Sequence, residues 1–339
     1  MGLNTQIHVQ EAKAFLSNYV HTLGDMMPDS NELFYFSQEN RFTKCTKCVK
    51  FKDELQKSAD KKERQNTLQK RDKHLKKQKC EREKYYKHGN KARNNPRKYM
   101  SIILDGMDQN KTSIPHFPVL PKALASLHQL RTHIVGVIVH GKGTETYVAE
   151  GQRWPQDTNL TLTVLLKAIV KHKTTQDVLY LQMDNCCREN KNKWTFDFHL
   201  LICVHVYFQI KVGFLMVGHT HEDIDQFFSC IARILNKFKV LTLSQLLQKI
   251  KQVNRKDPVD AEMLDHPYNV RDWIDGFIPD LHGHLKSYQF KFEVEGEGVR
   301  FSYKKRSTST VDRLINQDSP SLKIFQLVNC EWSHRRLRK

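Results

Sequence analysis

Three acidic clusters in the middle of the chain are the residues best suited to chemistry. They are the acids of LDGMDQNKT (Asp105 and Asp108), of QMDNCCRENKN (Asp184) and of GHTHEDID (Glu222, Asp223 and Asp225). Each cluster lies at or just past the end of an apolar run that predicts a strand. Carboxylates gathered at one sheet edge repel each other, and a cation that prefers oxygen ligands, Mg²⁺ or Mn²⁺, relieves that repulsion. Two such ions about 4 Å apart can activate an attacking oxygen and stabilise the leaving oxygen of a phosphodiester.

Hydrophobic periodicity predicts the elements that position these acids. The predicted strands are residues 99–105, 129–140, 144–149, 177–183 and 211–217, and the predicted helices are 160–172, 194–208 and 222–235. Asn159 is a candidate cap for the first helix, and Gly141-Lys142-Gly143 is a candidate hairpin turn. A meander of three strands followed by alternating helices and strands resembles the ribonuclease H-like order. A doubly wound sheet would alternate from the start.

The third acidic cluster opens the last of these helices, and helix geometry restricts its roles. Successive residues advance about 100° around the axis, and the apolar stripe that contains Ile224 and Phe228 must face the sheet. Glu222 then points to solvent. Asp223 and Asp225 flank the stripe at about 85° and 115° from its centre, so either can reach the sheet edge.

Three longer segments carry a family resemblance. YMSIILDGMDQNKTSIPHF, YLQMDNCCRENKN and FLMVGHTHEDIDQFFS together resemble a domain that recurs, largely uncharacterised, in transposon-derived proteins of animal genomes and is similar to the DDE transposase and integrase group. The resemblance covers roughly residues 40–300. It implies a ribonuclease H-like core with Asp105, Asp184 and a third acid as metal ligands, and it favours Asp225 as the third. Candidates for support of the site are Asp108, Asn185, Asn190, His219 and His221.

A basic block precedes the predicted sheet. The formal net charge of the chain is +18, and 22 Lys/Arg less 7 Asp/Glu leaves +15 between residues 41 and 100. Such a block indicates a polyanionic partner, for which DNA is the candidate, although a solvated charged helix would have the same composition. Residues 50–93 favour a helix with too few apolar side chains to pack deeply, so we expect it to stand out from the core. The candidate DNA contacts are Lys73, Lys76, Lys77, Arg93, Arg97 and Lys98.

The basic block opens with a possible zinc site. Cys45-Thr46-Lys47-Cys48 is a CxxC motif, and zinc needs two further ligands, for which His74, Cys80 and His88 are candidates. Cys45, Cys48 and His74 are the residues we single out. The alternative is a pair of cysteines that simply begins a helical hairpin. Eight cysteines without a disulfide-like spacing are typical of a reducing compartment.

Length and composition predict the organisation of the chain. A chain of 339 residues suggests two units with appendages: an N-terminal fragment (1–40), the basic helical region (41–98), a catalytic domain (99–240) and a C-terminal segment (241–339). That last segment should contain a helix near 243–253, a β-hairpin near 287–303 and a basic tail. We expect no signal peptide and no transmembrane helix.

Two functions fit these features. The first is transposase-like cleavage and strand transfer of DNA in the nucleus by two Mg²⁺ or Mn²⁺ ions, by a homodimer or higher oligomer. The second is an inactive relic that binds DNA or a nuclear partner, since no zinc-finger array or clear helix-turn-helix precedes residue 40. The resemblance also implies small, Gly-rich residues where this chain has Cys186-Cys187-Arg188-Glu189, a departure that argues against activity. A metallo-β-lactamase-like zinc hydrolase is disfavoured, since Ile224 occupies the place of the final histidine in its HxHxDH motif.

Overall fold

The computed structural model describes residues 45–124, 126–216, 218, 223–254, 259–275, 284–296, 298–307 and 313–314. The predicted N-terminal fragment and the basic tail lie outside these residues, as do His219, His221 and Glu222. No helix in the described ranges is long and apolar enough to cross a membrane.

One mixed sheet forms the centre of the α/β fold. Its strands are β1 (Tyr99–Gly106), β2 (Thr132–Val139), β3 (Gly143–Glu150), β4 (Val178–Met183), β5 (Gln209–Phe214), β6 (Asp260–Met263), β7 (Gln289–Glu295), β8 (Gly298–Lys304) and β9 (Arg313–Leu314). Their order across the sheet is β6-β3-β2-β1-β4-β5-β7-β8-β9. β2 runs antiparallel to both β1 and β3, whereas β1, β4 and β5 are mutually parallel. The predicted sequence of three strands and then alternating helices and strands is confirmed.

The helices of the middle region start and end near the predicted residues. They are α3 (Thr158–His172), α4 (Lys193–His205) and α5 (Asp223–Leu235). The cap prediction for α3 was wrong: Asp157 accepts the backbone N–H of Leu160, and Asn159 lies inside the helix. α4 ends three residues early because the N–H groups of Val206 and Tyr207 share one acceptor, the carbonyl of Ile202.

The basic region forms two helices rather than one. They are α1 (Thr46–Lys57) and α2 (Lys61–Asn94), separated by a turn at residues 58–60. Asp60 ends the turn as the N-cap of α2, where its carboxylate accepts the N–H groups of Lys62 and Glu63. The two helices therefore make a hairpin.

The expectation that this region stands away from the core was wrong for the second half of α2. Tyr85 and Ala92 are buried there, and α2 packs against β1 and β4. The imidazole of His88 stacks on Tyr180 of β4 with ring centroids 3.9 Å apart. The residues of α2 at this interface are mostly small or polar. The prediction was wrong because it took the scarcity of aliphatic side chains to mean that the helix does not pack on the core.

Two apolar clusters cover the two faces of the sheet. α3 and α4 pack on one face, while α5 and the following helix α6 (Leu243–Lys251) pack on the other. Gly136 of β2 lets α5 approach closely, since a β-carbon there would lie 2.8 Å from Phe228 Cε1 and 2.9 Å from Ile224 Cδ1. Because Gly136 pairs with Asp105, this contact sets the start of α5 beside the end of β1.

The C-terminal segment adds to the same sheet. The predicted helix near 243–253 is α6, and the predicted hairpin near 287–303 is β7 and β8. β7 pairs with β5, and β6 pairs with β3, so both edges of the five-strand centre are extended. A short helix, α7 (Val270–Asp275), packs on α3 and α4. Neither β6 nor α7 was predicted. β6 has four residues and α7 has six, so neither is long enough to show a clear hydrophobic repeat.

Candidate functional site

The first two predicted ligands lie on neighbouring strands. Asp105 is the penultimate residue of β1, and Asp184 follows directly on β4. β1 and β4 are parallel, with Leu104 paired to Met183, so the next residue on each strand reaches the same edge. The carboxyl edge of an open α/β sheet is where ligands commonly bind. The sequence prediction thus placed these two acids correctly relative to the strands.

Each of these carboxylates is oriented by the backbone that follows it. The N–H of Gly106 donates to Asp105 Oδ1 at 2.8 Å, and the N–H of Asn185 donates to Asp184 Oδ1 at 2.6 Å. One oxygen of each carboxylate is therefore fixed toward its own turn. Among the described residues, no backbone N–H donates to the other oxygen, which can serve as a ligand.

The acids at this edge act on one another electrostatically. Burial raises the pKa of Asp105 well above its usual range, and the charges of Asp184, Asp225 and Glu189 raise it further. Burial likewise raises the pKa of Asp184, with a second contribution from the charge of Asp225. Like charges shift pKa in this direction only when they are close. Asp225, in the first turn of α5, is therefore close to Asp105 and Asp184 at the carboxyl edge.

Asp223, the other candidate for the third ligand, faces a different set of partners. Its Oδ2 accepts a hydrogen bond from Tyr85 Oη at 3.4 Å and lies 3.7 Å from His140 Nε2. The nearby imidazole of His140 lowers the pKa of Asp223 despite its partial burial. The side chain thus joins α5 to α2 and β2. Helix geometry could not choose between Asp223 and Asp225 as the third ligand, but their contacts differ. Asp223 contacts Tyr85 and His140, whereas the charge of Asp225 raises the pKa of Asp105 and Asp184.

A fourth acid, Glu189, was missed by the sequence analysis. Burial raises its pKa, with a contribution from the charge of Asp184. Its Oε2 accepts the amide of Gln156 at 2.9 Å, and Gln156 Oε1 in turn accepts the amide of Gln109 at 2.7 Å. Gly106 leaves room for this chain, because a β-carbon there would overlap the Gln156 amide. Glu189 lies in a turn with no periodicity, so no pattern marked it.

Asp108 does not join the cluster of acids. It is exposed and precedes a short 3₁₀ turn, Gln109–Lys111. Its Oδ1 accepts both the backbone N–H and the side-chain amide of Asn110, at 3.1 and 3.0 Å. Its role in the structure is to cap that turn.

The two asparagines predicted to support the site lie beneath Asp184. Asn190 donates its amide to the backbone carbonyl of Asp184 at 3.3 Å. Asn185 Oδ1 accepts from Lys191 Nζ at 2.7 Å, and the same ammonium donates to the Leu285 carbonyl at 2.8 Å. The turn after β4 is therefore tied to a side chain that the sequence analysis did not single out.

Lys191 is fully buried, which is rare for a lysine. Its Nζ lies 4.9 Å from the ring centroid of Tyr288 and 5.3 Å from that of Phe214, where ring faces attract a cation. Burial nevertheless lowers the pKa of this ammonium to about 8. The lysine acts as a central support for the turn that carries Asp184 and Asn185.

We expect the buried ammonium to make stability depend on pH. The pKa of Lys191 is about 8 in the folded chain and 10.5 for an ordinary lysine, so between these values the unfolded chain binds more protons. The free energy of unfolding should therefore rise with pH across that window, by about 2 kcal/mol after allowance for solvent screening. Urea unfolding of the parent chain and of Lys191→Met measures this. As the pH rises, the free energy of unfolding of the parent should increase relative to that of the variant. If the two proteins showed the same dependence on pH, Lys191 would not be the group responsible.

The possible zinc ligands also come together. Cys45 Sγ, Cys48 Sγ and a ring nitrogen of His74 all lie within 4.8 Å of one another. Within the described ranges this is the only trio of His, Cys, Asp or Glu residues that meets that distance, and the three aspartates at the sheet edge do not. The other two zinc candidates, Cys80 and His88, are not in the group.

The predicted DNA contacts fall into two sets, one near the middle of α2 and one at its far end and in the turn after it. Burial lowers the pKa of Lys77, and so do the neighbouring charges of Arg306, Lys73, Lys47 and Lys305. We call these five residues the cationic cluster. Lys76 is exposed nearby. The remaining candidates are exposed at the far end of α2 and in the turn after it: Arg93, Arg97 and Lys98. From Lys73 to Arg93 is 93 − 73 = 20 residues of helix, or about 30 Å.

The fold and site define a mixed α/β protein with an acidic cluster at the carboxyl edge of its central strands. The chain belongs to the family described as domain of unknown function DUF7869, whose match covers residues 122–309. That match includes Asp184 and Asp225, while β1 with Asp105 and both basic helices precede it. No curated protein and no solved structure matches the chain.

Proposed function

We propose that the protein is a ribonuclease H-like enzyme that cleaves DNA phosphodiesters and transfers the strand, as transposases do. The observation that carries the proposal is that Asp105 and Asp184 follow paired residues of two parallel strands at one sheet edge, with Asp225 in the first turn of α5 near enough to act on both electrostatically. The strand order β3-β2-β1-β4-β5, with β2 alone antiparallel to the rest of the central strands, supports it. That arrangement is the one expected of a ribonuclease H-like core.

The donor set fits a hard divalent cation. Three carboxylates supply only oxygen ligands, and their mutual repulsion, together with burial, raises the pKa of two of them. Mg²⁺ or Mn²⁺ would be held by Asp105, Asp184 and Asp225. When bound, two such ions activate the attacking oxygen and stabilise the leaving oxygen. The chain's own part is to fix the ligands: Gly106 and Asn185 orient two of the carboxylates, and Lys191 supports the turn beneath them.

The test is metal-dependent cleavage of DNA by the purified full chain. Supercoiled plasmid and short duplexes, incubated with Mg²⁺ or Mn²⁺, should be nicked or joined, and the reaction should stop in EDTA. Cleavage that persists in EDTA would contradict the two-metal mechanism. Supply of Zn²⁺ alone is a useful comparison, since a metallo-β-lactamase-like site would respond to it.

A second candidate function is binding of DNA without catalysis. One observation favours it: the carboxylate oxygens of the three aspartates do not all lie within 4.8 Å of one another, in contrast to the cysteine and histidine group on α1 and α2. DNA binding that is unaffected by EDTA, with no cleavage under any metal, would select this function. Both functions place the protein in the nucleus, and failure to bind DNA at low salt would count against both.

A further inference from the structure

The open end of the α1–α2 hairpin holds three soft metal ligands. Cys45 is the N-cap of α1, Cys48 lies in its first turn, and His74 lies on α2. Cys45 and His74 are nearly equally far along the chain from the turn at residues 58–60, so the antiparallel helices bring them face to face. The resulting distance from Cys45 Sγ to His74 Nε2 is 3.4 Å.

That distance suits two ligands of one tetrahedral ion. With a zinc–sulfur bond of about 2.3 Å and a zinc–nitrogen bond of about 2.0 to 2.1 Å, ligand atoms at the tetrahedral angle lie about 3.6 Å apart. Cys48 Sγ falls within the same 4.8 Å limit of both atoms. Two thiols and an imidazole are the ligands that zinc prefers, whereas Mg²⁺ and Ca²⁺ take oxygen.

Burial of α1 side chains contributes little to closing the hairpin. α1 contains no buried residue, and its Val49 is 41% exposed. His74, in contrast, is buried and has an edge contact with Phe51, at 6.0 Å between ring centroids. A metal ion bound by these three side chains would therefore stabilise the packing of α1 on α2, because the free energy of metal binding becomes free energy of folding.

We propose that Cys45, Cys48 and His74 bind one zinc ion that clamps α1 onto α2. The three residues supply three ligands, and the fourth coordination position is open to water or to a further donor. This site is separate from the acidic cluster, and it stands whether or not the protein cleaves DNA.

The experiment measures metal on the full-length chain. Elemental analysis after purification in the presence of Zn²⁺ should give about one zinc ion per chain. Substitution by Co²⁺ should give the intense visible bands of a tetrahedral thiolate complex. Cys48→Ser and His74→Ala should each lower the affinity for zinc at least tenfold, measured by chelator competition, since each removes a ligand.

Two further variants keep the result decisive. Cys80→Ser is the matched control, because Cys80 is a half-buried cysteine on α2 outside the group, and it should bind zinc like the parent. His74→Cys replaces one zinc ligand by another and should restore binding if His74→Ala loses it. A chain without zinc, a Cys45–Cys48 disulfide in its place, or equal loss in Cys80→Ser would overturn the proposal.

Discussion

Asp184→Asn is expected to lower metal-dependent DNA cleavage by at least about 10³-fold. The substitution keeps the size of the side chain but removes the negative charge that would hold the metal ions, and metal ions supply several kcal/mol of transition-state stabilisation. It also leaves the hydrogen bond from the Asn185 N–H to the side-chain oxygen possible. Plasmid nicking under single-turnover conditions, at saturating Mg²⁺ and again with Mn²⁺, measures the effect.

The same Asp→Asn change at other positions tests whether the loss is specific to the proposed metal ligands. Asp225→Asn should cause a loss similar to that of Asp184→Asn, because Asp225 shares the edge with Asp105 and Asp184. Asp223→Asn should cleave at a rate within about tenfold of the parent, since its carboxylate contacts Tyr85 and His140. Asp260→Asn, on β6 at an exposed ion pair with Lys171 of α3, controls for loss of an acid elsewhere. If Asp223→Asn abolished cleavage and Asp225→Asn did not, the assignment of the third ligand would be wrong.

Local pattern explains which parts of the fold could be predicted from the sequence. β1 and β4 are apolar runs that end in acid, and α3 has an apolar repeat, so each element is marked by residues within its own bounds. α2 was misjudged because most of its buried positions, among them Glu81 and Gly89, are not aliphatic. They recur at helical spacing, but a hydrophobicity pattern does not register them.

In the candidate site, too, only the features that are marked by local sequence could be predicted. Strand ends predicted Asp105 and Asp184, because parallel neighbours finish at one edge. The choice between Asp223 and Asp225 depended on Tyr85, a residue of α2 that is distant in sequence. The role of Lys191 likewise depends on Leu285 and on rings from β5 and β7. Contacts of this kind are set by tertiary packing, which no local window contains.

Neutralising part of the cationic cluster should weaken DNA binding uniformly across sequences. Lys73 on α2 and Lys305, the residue after β8, each lie close enough to Lys77 to lower its pKa. Each phosphate contact that is lost should reduce the slope of log affinity against log salt by about 1. The triple replacement Lys73→Gln, Lys77→Gln and Lys305→Gln should therefore reduce that slope by about 3, as measured by fluorescence anisotropy with two unrelated duplexes.

A control with the same change of charge separates contact from general electrostatics. Lys122, Lys237 and Lys251 are exposed lysines outside α1 and α2, and their joint replacement by glutamine should leave the slope within about 1 of the parent value.

The basic residues at and just after the far end of α2, Arg93, Arg97 and Lys98, make the affinity depend on the length of the duplex. If one duplex follows the helix, the roughly 30 Å to Arg93 corresponds to about nine base pairs. Replacing Arg93, Arg97 and Lys98 by glutamine should then weaken binding to a long duplex far more than to an 8-base-pair duplex of about 27 Å. Equal effects on both lengths would contradict a path along α2, and an unchanged slope in the Lys73, Lys77 and Lys305 variant would contradict the interface itself.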